Sequence, residues 1–358
     1  MKQTPRKRPR RLSAAPPPPT TVRMTTPAQM VAAIPFQLGY TPTESIVVQC
    51  CHEPRGRVGL TMRIDLPPVE HEEAQADWIV AKVREQESTR VVLVLYTDEP
   101  DGPMARARSS FMHRITDALS DIIVTEALLV RDGRFWSYVC EGPCCPAEGR
   151  PVDEAEDSMA VQQIKLERQV SGRGVVATRE DLERQYAGPS LLEATVAEQR
   201  CDVMLELLAS NLEEAGPRET RRQSLQMWRE AIDAAADPRW ELPPMQAAAL
   251  AVSLSDVLVR DAIAATEAED GDAVRRLLDL LVQRTPAPYD APVCTLCAWL
   301  IYLDGAGTPV SILLERALAT DPDYSMAHIL STALLNGLDP EFLREVTLRT
   351  REALEDVA

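Results

Sequence analysis

Segments with the pattern of β-strands are confined to the part of the chain before residue 153, and only helical patterns follow. In the first part, runs rich in β-branched residues alternate with amphipathic segments, which is typical of a sheet covered by helices. In the second part alanine, leucine, glutamate and arginine dominate, and these residues favour helices. We therefore predict an α/β domain over residues 25–152 and an all-helical domain over residues 153–358.

Five strands are predicted in the α/β domain, over residues 44–50, 57–66, 90–96, 122–130 and 135–140. The first two flank a turn at residues 54–56 and are expected to form a hairpin. Helices are predicted between the later strands, and a strand–helix–strand unit usually pairs its strands in parallel. The expected fold is a mixed, largely parallel sheet with flanking helices.

The C-terminal helices carry a repeat-like rhythm over residues 291–337. A helix with Trp299 is followed by a glycine turn, a second helix, the pair Asp321-Pro322 and a third helix. This order is similar to the helix-turn-helix unit of tetratricopeptide repeats. A helical bundle that uses similar turns is the alternative, because only about one and a half units are visible and a stable array needs about three.

Charge is distributed unevenly along the chain. Seven basic residues precede the first acidic residue, Glu44, and give this segment a charge of +7. Because the net charge of the whole chain is −17, the rest of the chain carries −24. Residues 1–24 combine this basic run with four consecutive prolines, which predicts a disordered arm. An acidic body repels phosphate backbones, so nucleic-acid binding is expected only weakly and only through the arm.

No apolar run approaches the roughly 20 residues that a membrane helix needs, so no membrane association is expected. The basic N-terminus has no apolar segment typical of a signal peptide. Eight cysteines in 358 residues do not form the dense framework of a small secreted domain. The predicted setting is the cytoplasm, with reduced cysteines.

Familiar catalytic motifs, such as phosphate-binding loops and the H-E-x-x-H zinc motif, are absent. One weak candidate site lies at the predicted strand ends, where Asp65, Tyr96 and Asp98 could act on a small polar substrate and Arg63 could bind its anionic group. Ordinary turn chemistry is the competing interpretation for aspartates at these positions.

Cysteines form a second candidate site. Cys140, Cys144 and Cys145 follow a predicted strand, and Cys50, Cys51 and His52 follow another. If both strands ended close together, four ligands from these groups could bind zinc. Thiol redox chemistry and reduced structural cysteines are the alternatives. No other cofactor is indicated.

Two segments carry a family resemblance. Residues 32–48 read AAIPFQLGYTPTESIVV, and residues 58–67 read VGLTMRIDLP. Together with Asp132-Gly133-Arg134, the three cysteines from Cys140 and the later Asp321-Pro322, they resemble the actinobacterial family called domain of unknown function 4192. The resemblance spans residues 25–340 and implies an actinobacterial, cytoplasmic protein, but no activity. It also implies that Cys140, Cys144 and Cys145 belong to the family pattern, whereas Cys50 and Cys51 do not.

The leading hypothesis is a non-catalytic binding or regulatory protein that contacts an unknown protein partner through its helical domain. The first alternative is an enzyme that acts on a small polar substrate at the strand ends. The second is a zinc- or thiol-dependent protein that uses the cluster at Cys140.

Overall fold

The structure, a computed structural model, describes residues 22–54, 56–102, 105–140, 142–170, 174–303 and 307–355. Most of the predicted basic arm, residues 1–21, lies outside the described residues. The described part contains six strands and fourteen α-helices. A mixed sheet in the N-terminal half and helices after it are confirmed.

The sheet has the order β2-β1-β3-β4-β5-β6. Its strands are β1 (Ser45–His52), β2 (Arg57–Asp65), β3 (Arg90–Tyr96), β4 (Ile123–Arg131), β5 (Arg134–Ser137) and β6 (Arg150–Pro151).

The prediction of a largely parallel sheet is wrong, because among the described strands only β3 and β4 pair in parallel. The chain leaves the β1–β2 hairpin from the edge strand β2 and inserts β3 on the other side of β1. β1 is therefore antiparallel to both neighbours. β5 returns from β4 through the tight turn at Asp132-Gly133, which gives a further antiparallel pair.

The helices are α1 (Pro27–Leu38), α2 (Glu72–Glu85), α3 (Ser109–Ala118), α4 (Met159–Val170), α5 (Arg179–Gln185), α6 (Leu191–Ala215), α7 (Pro217–Ala235), α8 (Pro244–Ser253), α9 (Val257–Ala264), α10 (Glu267–Arg284), α11 (Asp290–Leu303), α12 (Gly307–Thr320), α13 (Ser325–Leu335) and α14 (Pro340–Glu355).

Both faces of the sheet are covered. On one face, Val48, Leu93 and Leu129 pack with residues of α2 and α3, such as Ile79 and Ile115. On the other face, a cluster that includes Val47, Val94 and Leu128 packs with Ile34 of α1. Burial on both sides explains why β1 and β3 are almost continuously apolar instead of alternating.

The second sheet face also contacts the helical half. Leu182 of α5 and Ile312 of α12 are buried in the same cluster as Val47 and Val94. Arg179 donates to Glu315 over 3.3 Å in the same region. The division into domains at residue 152 stays a prediction, and this packing joins the sheet to helices far along the chain.

The helical half is built around α11, in which every residue from Asp290 to Leu303 except the half-buried Pro292 is buried. Cys294 and Cys297 lie about one turn apart in this helix, and both are core residues. Arg316 anchors the surroundings: its Nε donates to Asp290 over 2.8 Å, and its other nitrogens donate to backbone carbonyls of residues 186, 282 and 285. The tetratricopeptide-like character of α11–α13 stays a prediction.

The sequence pattern over residues 243–267 predicts one continuous helix, but the structure divides this segment into α8 and α9. The Ser253 hydroxyl donates a hydrogen bond to the Leu250 carbonyl over 2.7 Å and accepts one from the Trp228 indole N–H. This hydroxyl therefore makes a tertiary contact at the end of α8. Asp256 then starts α9, because its carboxylate accepts the Leu258 N–H over 2.9 Å.

Candidate functional site

The strand-end candidates lie along one edge of the sheet. β2, β3 and β4 run in the same direction, so that their carboxyl ends meet there, and the first residue of β1, Ser45, lies between Asp65 and Tyr96 in register. Because two strand spacings separate these residues, their Cα atoms are roughly 10 Å apart. The edge brings the predicted residues near one another without placing them in one pocket.

Arg63 and Asp65 form one part of this edge. The Arg63 guanidinium pairs with Asp65 and donates to the Thr43 carbonyl over 3.2 Å. Its side chain is 12% exposed, whereas that of Asp65 is 80% exposed. The charge of Arg63 is therefore used to join β2 to the loop before β1. Anion binding by Arg63 stays a prediction, because its Nε has no hydrogen-bond partner among the described residues.

Tyr96 and Asp98 lie on a different part of the edge. They line a cavity of about 220 Å³, the strand-end pocket, which is formed by the loop before β1, the end of β3, the β4–β5 turn and Val152. Neither Arg63 nor Asp65 lines this pocket. The four predicted residues are thus divided between an ion pair and a pocket.

The Tyr96 hydroxyl is buried and has no hydrogen-bond partner among the described residues. Burial raises the pKa of Tyr96 far above its usual value, so the phenol keeps its proton at neutral pH. A buried polar group without a partner is costly, and such groups are often satisfied by a water or a ligand. Tyr96 is therefore the residue of this pocket that most needs an additional partner.

Sequence reasoning missed Glu44 as a residue of the same pocket. Its carboxylate accepts from the Thr97 hydroxyl over 2.9 Å and from the Asp98 N–H over 2.7 Å, and its φ is +38°. This bridge fixes the loop before β1 to the end of β3. Glu44 lies inside the segment 32–48 that carries the family resemblance, and that was the available signal.

The cysteine cluster consists of Cys140, Cys144 and Cys145, whose Sγ atoms all lie within 4.8 Å of one another. β5 ends before it, because the Ser137 hydroxyl accepts the N–H groups of Val139 and Cys140 over 3.2 and 3.0 Å. The predicted strand 135–140 is therefore too long, and Cys140 lies in a loop. A serine side chain that accepts hydrogen bonds from nearby backbone N–H groups competes with the pairing of those groups in a sheet.

Cys50 and Cys51 do not join the cluster, and the proposed four-ligand zinc site with them is wrong. Both are buried in β1, and β3 and β4 lie between β1 and β5. Three strand spacings correspond to roughly 14 Å, which is too far for a shared ion. Among the described residues, the cysteine cluster is the only group of three or more potential metal ligands whose ligand atoms lie close to one another.

A third candidate is the surface of α6. Seven of its large apolar side chains are exposed, and four of these, Leu192, Val196, Val203 and Leu207, lie on one side of the helix, with Leu192 89% exposed and Val203 47% exposed. Their spacing places them within an arc of about 60° on the helix. We call this set the exposed stripe.

The opposite side of α6 holds the helix on the protein. Cys201 packs there with Ala248 and Val252 of α8, and Met204 and Leu208 flank them. One long helix thus has an apolar side that is packed and another that is not. Scattered exposed apolar residues are normal, but four of them aligned on one side of a single helix indicate an interaction surface.

None of the described helices combines the length and the apolar character that a membrane crossing requires.

A family model described as Domain of unknown function (DUF4192) matches residues 27–341. No curated protein and no solved structure matches the chain.

Proposed function

This chain belongs to the DUF4192 family, whose description states no activity. From its surface we propose that it is a non-catalytic protein that binds a basic, helical segment of a partner through α6. The exposed stripe is the observation that carries the proposal. Helix-on-helix recognition uses apolar side chains three, four and seven residues apart, and the members of this set are four and seven residues apart. No described element covers this apolar area, and a partner that buried it would remove it from water.

Charge selects the class of partner. α6 contains six acidic residues and one arginine. Two copies of α6 in contact would bring like charges together, which opposes self-association. A partner helix with lysine or arginine beside its apolar residues would have complementary charge. We therefore favour a basic partner over a second copy of this chain.

The test uses a labelled amphipathic peptide of leucine and lysine, with binding followed by fluorescence anisotropy at fixed salt. In the variant Val196→Asn/Val203→Asn the net charge is unchanged, and asparagine has nearly the helix propensity of valine. Loss of two buried valines should weaken binding about 10-fold or more. Ile329→Asn, at an exposed position of α13, is the control and should leave binding unchanged.

Equal binding by the double variant would mean that the peptide responds only to net charge, and the proposal would fail. Sedimentation velocity of the protein alone gives the second readout. Self-association that disappears in the double variant would assign the exposed stripe to a second copy and would also refute a basic partner.

A second candidate function is binding of a small organic cation in the strand-end pocket. Support comes from the unpartnered Tyr96 hydroxyl and from the carboxylates of Glu44, Asp98 and Asp132 that line the pocket. Arg131 also lines it, but this guanidinium already donates to the Glu99 backbone carbonyl and to the Asp101 carboxylate. The available charge is therefore negative, which favours an amine over an anion.

Putrescine is a suitable probe, and succinate, of the same chain length and opposite charge, is the control. Calorimetric titration should give binding of putrescine only, and Tyr96→Phe should weaken it by about 5-fold because one hydrogen bond contributes about 1 kcal/mol. Binding of succinate, or putrescine binding that Tyr96→Phe leaves unchanged, would contradict this assignment.

The proposed setting is the cytoplasm of an actinobacterium. In support, all eight cysteines are free thiols, which a reducing compartment maintains. We also interpret α11–α13 as tetratricopeptide-like, since α11 and α12 pack closely and α13 contacts both.

A further inference from the structure

The cysteine cluster has the dimensions of a metal site. The Sγ atoms of Cys140 and Cys144 are 3.6 Å apart, and those of Cys144 and Cys145 are 3.9 Å apart. A tetrahedral zinc ion with Zn–S bonds near 2.3 Å needs sulfur atoms about 3.8 Å apart. A disulfide would instead bring one pair to about 2.05 Å and would leave the third sulfur unused.

The loop that carries the cluster is held by contacts that need no metal. Ser137 fixes the backbone at Cys140, and the Cys145 N–H donates to the Gly142 carbonyl over 2.9 Å. Beyond the cluster, the Trp136 indole donates to the Ala147 carbonyl over 3.0 Å. The three thiols are thus brought together by the fold on both sides, which lowers the ordering cost of binding an ion.

Electrostatic interactions act on two of the thiols and on a neighbouring arginine. A hydrogen bond from the Gly142 backbone, with the neighbouring thiols, lowers the pKa of Cys140. Burial, with the other two thiols, raises the pKa of Cys145 to about 12. The pKa of Arg150 is raised first by its hydrogen bond and ion pair with Glu154 and then by the nearby thiols of the cluster, so this arginine lies close to them.

We propose that Cys140, Cys144 and Cys145 bind one zinc ion as a three-thiolate site, with the fourth coordination position open to water or an exogenous ligand. Cys144 is exposed, which gives the ion a path from solvent. No histidine or carboxylate of the described residues completes the cluster. Each thiol proton is released to solvent as the Zn–S bond forms, so the affinity rises with pH.

The experiment uses the full chain, reduced with a phosphine under argon and stripped of metal. Titration with zinc should give one equivalent bound per chain, and cobalt in its place should give thiolate-to-cobalt charge-transfer absorption. Cys144→Ser should weaken zinc binding more than about 100-fold, because even residues outside the first coordination sphere contribute 10–100-fold. Cys201→Ser, at a buried cysteine of α6, is the control and should retain the full affinity.

Circular dichroism of each variant establishes that it is folded. Less than half an equivalent of zinc in the reduced wild-type chain would overturn the proposal. So would equal affinity of the Cys144→Ser variant. Reversible formation of a Cys140–Cys144 disulfide, without zinc uptake by the reduced chain, would assign the cluster to redox chemistry instead.

Discussion

At the scale of single residues, the loop of the cysteine cluster depends on Gly149. Its φ is +73°, and a Cβ atom built on it would lie 2.4 Å from the Trp136 ring. Arg134 donates to the Gly149 carbonyl over 2.7 Å from the other side. Glycine is therefore required for two separate reasons, one conformational and one steric. The positive φ concerns only the backbone of Gly149 itself, whereas the contact with Trp136 arises only in the folded loop.

Gly149→Ala should lower the free energy of unfolding by about 3 kcal/mol or more, because backbone strain and steric overlap add. Gly133→Ala is the matched control: its φ is +69°, but a Cβ there would meet nothing within 4 Å. It should cost about 1 kcal/mol from strain alone. Urea denaturation followed by circular dichroism measures both values. Equal losses would show that the contact with Trp136 has no energetic weight.

At the scale of elements, helix ends differ in how far the sequence determines them. α1 begins and ends through local contacts: the Thr26 hydroxyl accepts the Gln29 N–H, and Gly39 adopts a φ of +87° after the last turn. These signals lie within four residues of each end, so both ends are encoded locally. At the break between α8 and α9, the local cap of Asp256 is joined by a contact between Ser253 and Trp228, which lies 25 residues earlier in the chain and meets Ser253 only after folding.

Asp256 combines two roles at the start of α9. One carboxylate oxygen accepts the Leu258 N–H, and the other pairs with Arg221 of α7 over 2.9 Å. Asp256→Ala should lower the free energy of unfolding by about 1–2 kcal/mol, because it removes the cap and a partly exposed ion pair. Asp256→Asn keeps an oxygen for the cap and should lose about half as much. Thermal denaturation of the two variants tests this, and a larger loss for asparagine would disprove the capping role.

At the scale of the whole molecule, the sheet and the helices share a hydrophobic cluster. Val47 and Val94 come from the sheet, whereas Leu182 and Ile312 come from α5 and α12. A second link joins α2 to the end of α13, where the Gln86 side chain donates to the Asn336 carbonyl over 3.0 Å. Because the cluster includes side chains from both halves, we expect the two halves to stabilise each other.

Ile312→Ala should lower the free energy of unfolding by about 2–4 kcal/mol, which is typical of a truncated core isoleucine. Hydrogen exchange should become faster in β1 and β3 as well as in α12. Ile329→Ala, at a position that is 62% exposed, is the control and should change stability by less than about 0.5 kcal/mol. Faster exchange confined to the helices would show that the sheet is stable by itself.

The sequence by itself determined the type of nearly every element, the change from strands to helices and the family. The type of each element depends on side-chain periodicity and on caps and turns within a few residues, whereas the family rests on the resemblance of its motifs. The tertiary structure alone decided the strand order, the division of Arg63 and Asp65 from Tyr96 and Asp98, and the distance of Cys50 from Cys140. Such pairings depend on contacts between residues far apart in the chain, and periodicity does not encode which strand lies beside which.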